Sequence, residues 1–401
     1  MHTLTKIKLF TCALWISYPL AVLFLYPIVI LKKKKNTRYF FLFDRYELGG
    51  AQRVHVDILQ SIKEQNKQVY FTRFSRNMLL KDEFYAIPHT TCNDIHLWCD
   101  NLIFRIFSVH YFAFYINRHQ DAQVFSSNST FFYDMLPFLS RHIKKTELLH
   151  NFTYGKKGME FFGLGNYNYL NMRLCVDYAT AQNIKNQYQQ YGVPATYENR
   201  IRVIEPGVNI PSTNNKEIAL PLNLFYAGRG GPQKRIHLLN KVAELCIEEQ
   251  LPVKFNFAGT VDDELSETVK QHSNLYGQVD KSKMIELYKQ AHAIVMTSAF
   301  EGFPMLVKEG MAYGCIPLVT ALEGNKTHLA DNENSILITE ITDEDLLVKQ
   351  CLHKIKYMAA NMGETKRLSV NAYNYAKQHF DRNNFIKSYR DFLLQPFSAQ
   401  N

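Results

Sequence analysis

Apolar and polar positions alternate along most of this chain in a way that predicts strands and helices in turn. Tyr39-Phe-Phe-Leu-Phe43 is a short, wholly apolar run that reads as a buried strand. Asp44 to Gly50 is a turn, and Ala51 to Gln65 has the spacing of an amphipathic helix. Gln68 to Phe74 reads as the next strand, and Ala122–Ser126 and Glu147–Asn151 as further strands. Arg202 to Val208 ends this half, and the polar stretch Ser212 to Ile218 reads as a linker. The pattern then restarts with a strand at 222–227, a helix at about 236–249, a strand at 253–258 and a helix at about 281–291. A strand at 293–298, a helix at 305–313, a strand at 316–320 and a last helix at about 383–394 complete it. Strands that alternate with helices imply parallel sheets with crossover helices. The expected class is therefore α/β, with two parallel-sheet domains in tandem. A chain of 401 residues has room for both.

A different pattern precedes all this. Leu9 to Leu31 is 23 residues without a charge, followed by Lys32-Lys-Lys-Lys35. As a helix it is roughly 34 Å long, enough to cross a hydrocarbon core. A cleaved signal peptide fits less well, because the run is long and ends in lysines rather than small residues. The excess of cations after the run predicts a cytoplasmic carboxyl side. Pro19 and Pro27 leave a re-entrant segment open beside a spanning helix. Residues 1–38 hold seven cations and no acid, which leaves +2 of the net +9 for everything else. Such a distribution excludes a nucleic-acid-binding body and predicts contact with an anionic lipid surface. The seven cysteines are scattered, with no Cys-x-x-Cys pair, so neither a zinc site nor a disulfide framework is indicated, and a reducing compartment is expected.

The candidate chemistry sits at strand ends. Glu301 and Glu309 lie within Ser298-Ala-Phe-Glu-Gly-Phe-Pro-Met-Leu-Val-Lys-Glu-Gly-Met-Ala-Tyr-Gly-Cys-Ile-Pro317. The strand before and the helix after put Glu301 in a loop at a strand's carboxyl end and Glu309 inside the helix, facing the crevice where open α/β sheets bind ligands. Carboxylates there accept hydrogen bonds from sugar hydroxyls. Gly228-Arg229-Gly-Gly-Pro-Gln-Lys234 also follows a strand and precedes a helix, so its glycines, helix end and two cations suit a diphosphate. Glu47-Leu-Gly49-Gly50-Ala51 forms the first strand-to-helix turn, and His150 ends an apolar strand. Each of these has a plain structural reading as well: a solvated helix face, a turn, a strand-end histidine, and for Asp44 a cap.

Taken together, the glutamate pair with its flanking Glu-Gly-Phe-Pro and Met-Ala-Tyr-Gly-Cys-Ile-Pro resembles the signature of retaining GT-B glycosyltransferases of family four, the glycosyl transferases group 1. The resemblance is strong over 222–340 and diffuse before 200. It implies two Rossmann-like domains. Residues 1–35 are then anchor and basic flank, 36–212 an acceptor-binding domain, 213–380 a nucleotide-sugar-binding domain, and 381–401 a helix returning to the first domain. It implies that Arg229 and Lys234 bind the diphosphate, Glu309 the ribose and Glu301 the donor sugar, with His150 near the reacting centre. Gly49, Gly50, Gly228, Phe303, Pro304, Met305 and Leu306 are the implied contacts of the donor and acceptor. Arg235 stands where the family commonly has glycine, and Glu323-Gly324 where it has Gly-Gly. Asp262-Asp-Glu264 reads as a solvated loop rather than a metal site.

The activity so implied is transfer of a sugar from a UDP or GDP type donor, with retention and without metal, to a lipid-linked or other glycan acceptor. With the anchor, that places the enzyme at the cytoplasmic face of the inner membrane, in polysaccharide or lipopolysaccharide biosynthesis. An epimerase or phosphorylase on the same fold, and a catalytically inactive nucleotide-sugar-binding subunit of a membrane glycan-assembly complex, are the alternatives.

Overall fold

The computed structural model describes residues 3–153 and 158–396, so the outermost parts of the two terminal segments, 1–2 and 397–401, lie outside the described residues. The chain divides into two units, 1–205 with 386–401, and 206–385.

In the first unit, α1 (Thr3–Leu31) precedes β1 (Tyr39–Phe43), α2 (Gly50–Ser61), β2 (Lys67–Phe71), α3 (Lys81–Tyr85) and β3 (Thr90–Asp94). Then come α4 (His96–Asp100), α5 (Leu102–Asn117), β4 (Gln123–Ser127), α6 (Thr130–Met135) and β5 (Lys144–Leu149). α7 (Met159–Gly165), β6 (Met172–Cys175), α8 (Tyr178–Gln190) and β7 (Ile201–Val203) follow. The seven strands form one sheet in the order β3-β2-β1-β4-β5-β6-β7, every pair parallel. β1 is central and wholly buried, which is what its five apolar residues require. Asn101 starts α5 by accepting the N–H groups of Ile103 and Phe104 at 3.0 and 3.1 Å.

The second unit repeats the scheme with β8 (Leu222–Arg229), α9 (Ile236–Glu248), β9 (Val253–Thr260), α10 (Glu267–His272), β10 (Asn274–Leu275) and α11 (Lys281–Gln290). β11 (Ala293–Met296), α12 (Met305–Ala312), β12 (Ile316–Thr320), α13 (Glu323–Lys326), β13 (Ile336–Ile338), α14 (Glu344–Ala360) and α15 (Met362–His379) follow. The order β10-β9-β8-β11-β12-β13 is again parallel throughout. Its core joins the sheet to the inner faces of α9, α12, α14 and α15 through residues such as Leu224, Val242, Ile294, Val307, Ile355 and Leu368.

α16 (Arg382–Leu394) starts in the second unit and ends in the first. Its last turn docks there, with the carbonyls of Phe392 and Leu393 accepting from Lys144 and Gln123 at 3.2 and 3.0 Å.

The strand order reverses between β1 and β4 in one unit and between β8 and β11 in the other. At such a switch point the loops after neighbouring strands diverge and leave a crevice. The segments singled out in the sequence follow β1, β8 and β11, and so stand at these places. Several boundaries differ from expectation. β8 runs on through Gly228 and Arg229, because they pair with Gly259 and Thr260 of β9. The helix expected to reach Gln65 stops at Ser61, and β2 begins at Lys67.

Candidate active site

In the second unit the loop 230–235 and the loop 297–301 are stitched together by one backbone bond and one side-chain bond. Ala299 N–H donates to the Gln233 carbonyl at 2.8 Å, and the Gln233 side chain donates to the Phe300 carbonyl at 2.9 Å. This register brings Lys234 onto Glu301: the ammonium and the carboxylate form an ion pair, with side chains only 24% and 11% exposed. Arg229 lies exposed at the end of β8, in the same strand-end region. Glu309, inside α12, accepts a hydrogen bond of 2.6 Å from the hydroxyl of Tyr288. Burial and the Glu309 charge together push the Tyr288 hydroxyl well above its ordinary range, so the tyrosine stays a donor.

Arg235 explains its own departure from glycine. Its backbone is left-handed, at φ 48° and ψ 49°, a conformation glycine adopts without strain. The side chain is buried, and it donates to the carbonyls of Thr297, Ile341 and Ser298 at 2.7, 2.9 and 3.0 Å. The strained residue thus fastens the end of β11, just before Glu301. Glu264 departs from the solvated loop expected of Asp262-Asp-Glu264. Asp262 and Asp263 are exposed, but Glu264 is half-buried and accepts the N–H of Gly231 at 2.6 Å. A carboxylate therefore already occupies one anion-binding donor of this loop.

Pro304 precedes α12 and has no N–H, so of the backbone 303–306 only Phe303, Met305 and Leu306 carry donors. The first bonds into the helix run from Val307 and Lys308 to the Pro304 carbonyl, which leaves the N–H groups of Met305 and Leu306 at an open helix start. Phe303 is buried, its ring against His328 at 4.7 Å and Phe380 at 5.4 Å. Glycine is required at two close approaches. A Cβ on Gly259 would meet the Gly228 carbonyl at 1.9 Å, and one on Gly324 the Gly302 carbonyl at 2.0 Å. The glutamate of Glu323-Gly324 adds no bulk there, since its side chain is 87% exposed and pairs with Lys326.

The first unit contributes a different constellation. Gly49 precedes α2 in an extended conformation, with Gly50 as the first helical residue. Asp44, at the end of β1, accepts weakly from Gln52 at 3.4 Å, and burial pushes its carboxyl up to about 6. His150, directly after β5, meets His55 of α2 with the two Nε2 atoms 3.1 Å apart. His55 is buried and stacked on Phe43, rings parallel at 4.0 Å, and its Nδ1 has no hydrogen-bond partner among the described residues. Burial lowers both imidazoles, His150 to about 4, so both are neutral near pH 7. A buried N–H without an acceptor is worse than a bare lone pair. The shared proton is therefore assigned to His55 Nε2, which leaves His150 with its hydrogen on Nδ1.

Sequence reasoning missed His55, Tyr288, Glu264 and the role of Arg235. The signal for His55 was present: it falls on the apolar face of α2 among Val54, Val56, Ile58 and Leu59. Among the described residues no group of three or more His, Cys, Asp or Glu is placed to hold a metal ion.

Comparison with solved structures places this architecture. Anabaena HepE in complex with UDP superposes with a TM-score of 0.69 at 15% identity, over 89% of this chain and 99% of that one. The lipopolysaccharide outer core galactosyltransferase WaaB, in its apo form, gives 0.67 at 17% identity, over 89% and 99%. At such identities the likeness is one of fold, the GT-B arrangement of two parallel-sheet α/β domains. By sequence, 176 residues are 27% identical to glycogen synthase of Aliivibrio salmonicida, 40% of this chain but only 35% of that protein's length. Residues 215–374, the stretch that carries Arg229, Lys234, Arg235, Glu301 and Glu309, match the model of the family described as Glycosyl transferases group 1.

Proposed function

We propose that this protein is a glycosyltransferase that moves a sugar from a nucleoside diphosphate donor, of UDP or GDP type, to an acceptor hydroxyl with retention of configuration. The observation that carries the reading is the half-buried Lys234–Glu301 pair at the switch point, with Arg229 beside it on the end of β8 and Glu309 on the next helix. Unliganded, Lys234 and Glu301 neutralise each other, which avoids an unpaired charge in a half-buried place. A diphosphate competes for Lys234 and releases Glu301 to accept from hydroxyls of the donor sugar. Glu309 accepts from the ribose. Arg229, Lys234 and the open N–H groups of Met305 and Leu306 then meet the charge that grows on the departing diphosphate. That interaction strengthens as the glycosidic bond breaks, so it accelerates the reaction rather than only binding substrate. This set of cations and helix donors is the basis for proposing metal independence.

The acceptor-binding domain of this reading, residues 36–212, takes the acceptor. His150 acts there as a neutral donor through Nδ1, held in that tautomer by His55, while Gly49 and Gly50 let backbone approach the reacting groups. The acceptor is a lipid-linked glycan, reached at the cytoplasmic face of the inner membrane. α1, an N-terminal helix long and apolar enough for a membrane and flanked by lysines, supports this placement. The test is calorimetric titration of the full-length protein with UDP and GDP, followed by assay of donor hydrolysis. Binding with slow hydrolysis is the expected result. Binding without hydrolysis or transfer to any lipid-linked acceptor overturns the enzymatic reading in favour of an inactive sugar-nucleotide-binding subunit. No binding overturns both.

A further inference from the structure

We infer that α1 does not cross the bilayer but lies along it, as the outermost layer of a monotopic surface of the first unit, against a leaflet rich in anionic phospholipid. This rests on the membrane association proposed above and adds its geometry. α1 is apolar on every side, and such a helix needs apolar surroundings on every side. The protein supplies them on one stripe only. Leu14, Ala21 and Val29 are fully buried, and Phe10, Tyr18 and Leu25 pack beside them, a spacing of three to four residues that keeps one face against the unit from end to end.

Apart from Phe138, the partners along α1 and the lysines after it follow the order of α5 and its carboxyl end. Phe10 lies under the Arg105 guanidinium at 5.7 Å, and Ser17 Oγ bonds His110 Nε2 at 2.9 Å. Tyr18 stacks on Phe138 at 5.5 Å, the Lys32 carbonyl accepts from Arg118 at 2.8 Å, and the Lys35 carbonyl meets His119 at 3.2 Å. α1 thus runs along α5, whose 16 residues span about 24 Å. An upright α1 would carry α5 into the hydrocarbon with it. α5 brings Arg105, paired with Asp134 at 2.8 Å, and is followed directly by Arg118. The same packing would carry in the irregular segment between α6 and β5, where Phe138 meets Tyr18, and lipid-exposed irregular backbone does not occur within the hydrocarbon region, so the upright arrangement is disfavoured.

Lying flat, α1 submerges only its outer face. There Ile16, Leu20, Leu23, Phe24 and Leu31 are 55–86% exposed. Beside its amino-terminal half, the start of α5 adds Leu102, Ile103 and Phe104, each 60–65% exposed, and α4 adds Leu97 at 70%. An exposed apolar surface of this extent marks an interaction site. Its occupant is set by the charges around it. Lys6 and Lys8 stand at one end of α1 and Lys32 to Lys35 at the other, all exposed, which matches an anionic lipid surface.

The experiment uses the full chain with Cys12→Ser and Cys92→Ser, and adds Lys6→Cys or Lys33→Cys. Membrane-impermeant maleimide is applied to right-side-out and inverted membrane vesicles. Both cysteines are expected to label from the same side. Labelling from opposite sides overturns the flat arrangement and leaves the membrane association standing. A second variant, Ile103→Asp with Phe104→Asp, lies outside α1 on an exposed surface. It is expected to weaken binding to phosphatidylglycerol-containing vesicles roughly tenfold or more at an unchanged melting temperature, because two apolar side chains leave the lipid. Unchanged binding means that α1 holds the membrane alone and overturns the shared surface. Failure of the unaltered protein to bind any vesicle overturns the membrane association itself.

Discussion

The two units share one architecture and differ in how they treat charge at the switch point. In the second unit the end of β8 carries Arg229, the loops after β8 and β11 carry the paired Lys234 and Glu301, and the backbone around them is tied down by Gln233 and Arg235. In the first, burial pushes the groups after β1 and β5 toward their neutral forms: the imidazoles of His55 and His150 share a proton, and the Asp44 carboxyl is raised, while Arg45 and Glu47 pair in the loop after β1. Desolvation explains the contrast. Where burial outweighs the nearby charges, as it does at Asp44 despite Arg45 and Arg73, it favours the neutral state of a titratable group. Where a dianionic leaving group is to be met, cations are kept, and Lys234 is given a carboxylate, Glu301, to hold meanwhile. The same sheet therefore serves two tasks through the pairing state of a few strand-end residues.

The comparison breaks most visibly at Lys234. Lys234→Ala removes the cation and strands Glu301 beside the leaving group. Turnover is expected to fall by roughly 10²–10³, as for loss of one preorganised group that meets transition-state charge, with a smaller change in donor KM. Steady-state kinetics giving a raised KM at normal kcat would mean that Lys234 merely anchors the donor.

In the first unit the largest expected effect is on stability. The folded protein holds the Asp44 proton more tightly than the unfolded chain, with a folded value of about 6 against an ordinary value near 4. Stability is therefore full below about pH 4 and lost as pH rises through about 6. Asp44→Asn should abolish that slope and leave the protein more stable at pH 7 by about 3 kcal/mol, two units of pKa. Thermal melts of both proteins from pH 4 to 7 check it, and parallel pH profiles count against the assignment.

Glu309→Ala sharpens the donor side. A hydrogen bond from a ribose hydroxyl to a carboxylate is worth about 1.5–3 kcal/mol, so affinity for the nucleoside diphosphate should fall roughly ten- to a hundredfold. Tyr288→Phe, which removes one hydrogen-bond partner of Glu309, should fall by less. Calorimetry on the three proteins decides, and equal affinities remove Glu309 from the site.

The smallest effect tests why Arg235 is not glycine. Arg235→Ala and Arg235→Gly both lose the bonds to Thr297, Ser298 and Ile341, but alanine keeps the left-handed strain. Glycine should be the more stable of the two by about 1 kcal/mol. If alanine equals glycine in denaturant titration, the left-handed backbone carries no strain.

Much of the fold was legible because strands and helices are written in local periodicity. Tyr39–Phe43 and Ile316–Thr320 coincide with β1 and β12, and the helix start at 305 with that of α12. β3 (Thr90–Asp94) was not legible: it is a half-exposed edge strand of mostly polar residues, Thr-Thr-Cys-Asn-Asp, held by pairing to β2 rather than by its own burial. α5 escaped for the opposite reason, since it is apolar almost throughout and its period is hidden. In the candidate site, Arg229, Lys234, Glu301 and Glu309 stood out because they lie at strand ends and because the motif flanking the glutamates resembles that of a known family.

By itself the sequence determined the two parallel-sheet halves, the strand ends on which charged residues stand, and an apolar segment long enough for a membrane. Only the tertiary structure decided which partner each charged or polar group takes. Lys234 and Glu301 are 67 residues apart, Gly231 and Glu264 33, His55 and His150 95, Ser17 and His110 93. Periodicity reaches only a few residues along the chain, whereas these pairs form where crossover connections bring distant strand ends and helix faces together. Until the sheet is assembled, nothing in the local sequence distinguishes a buried partner from solvent.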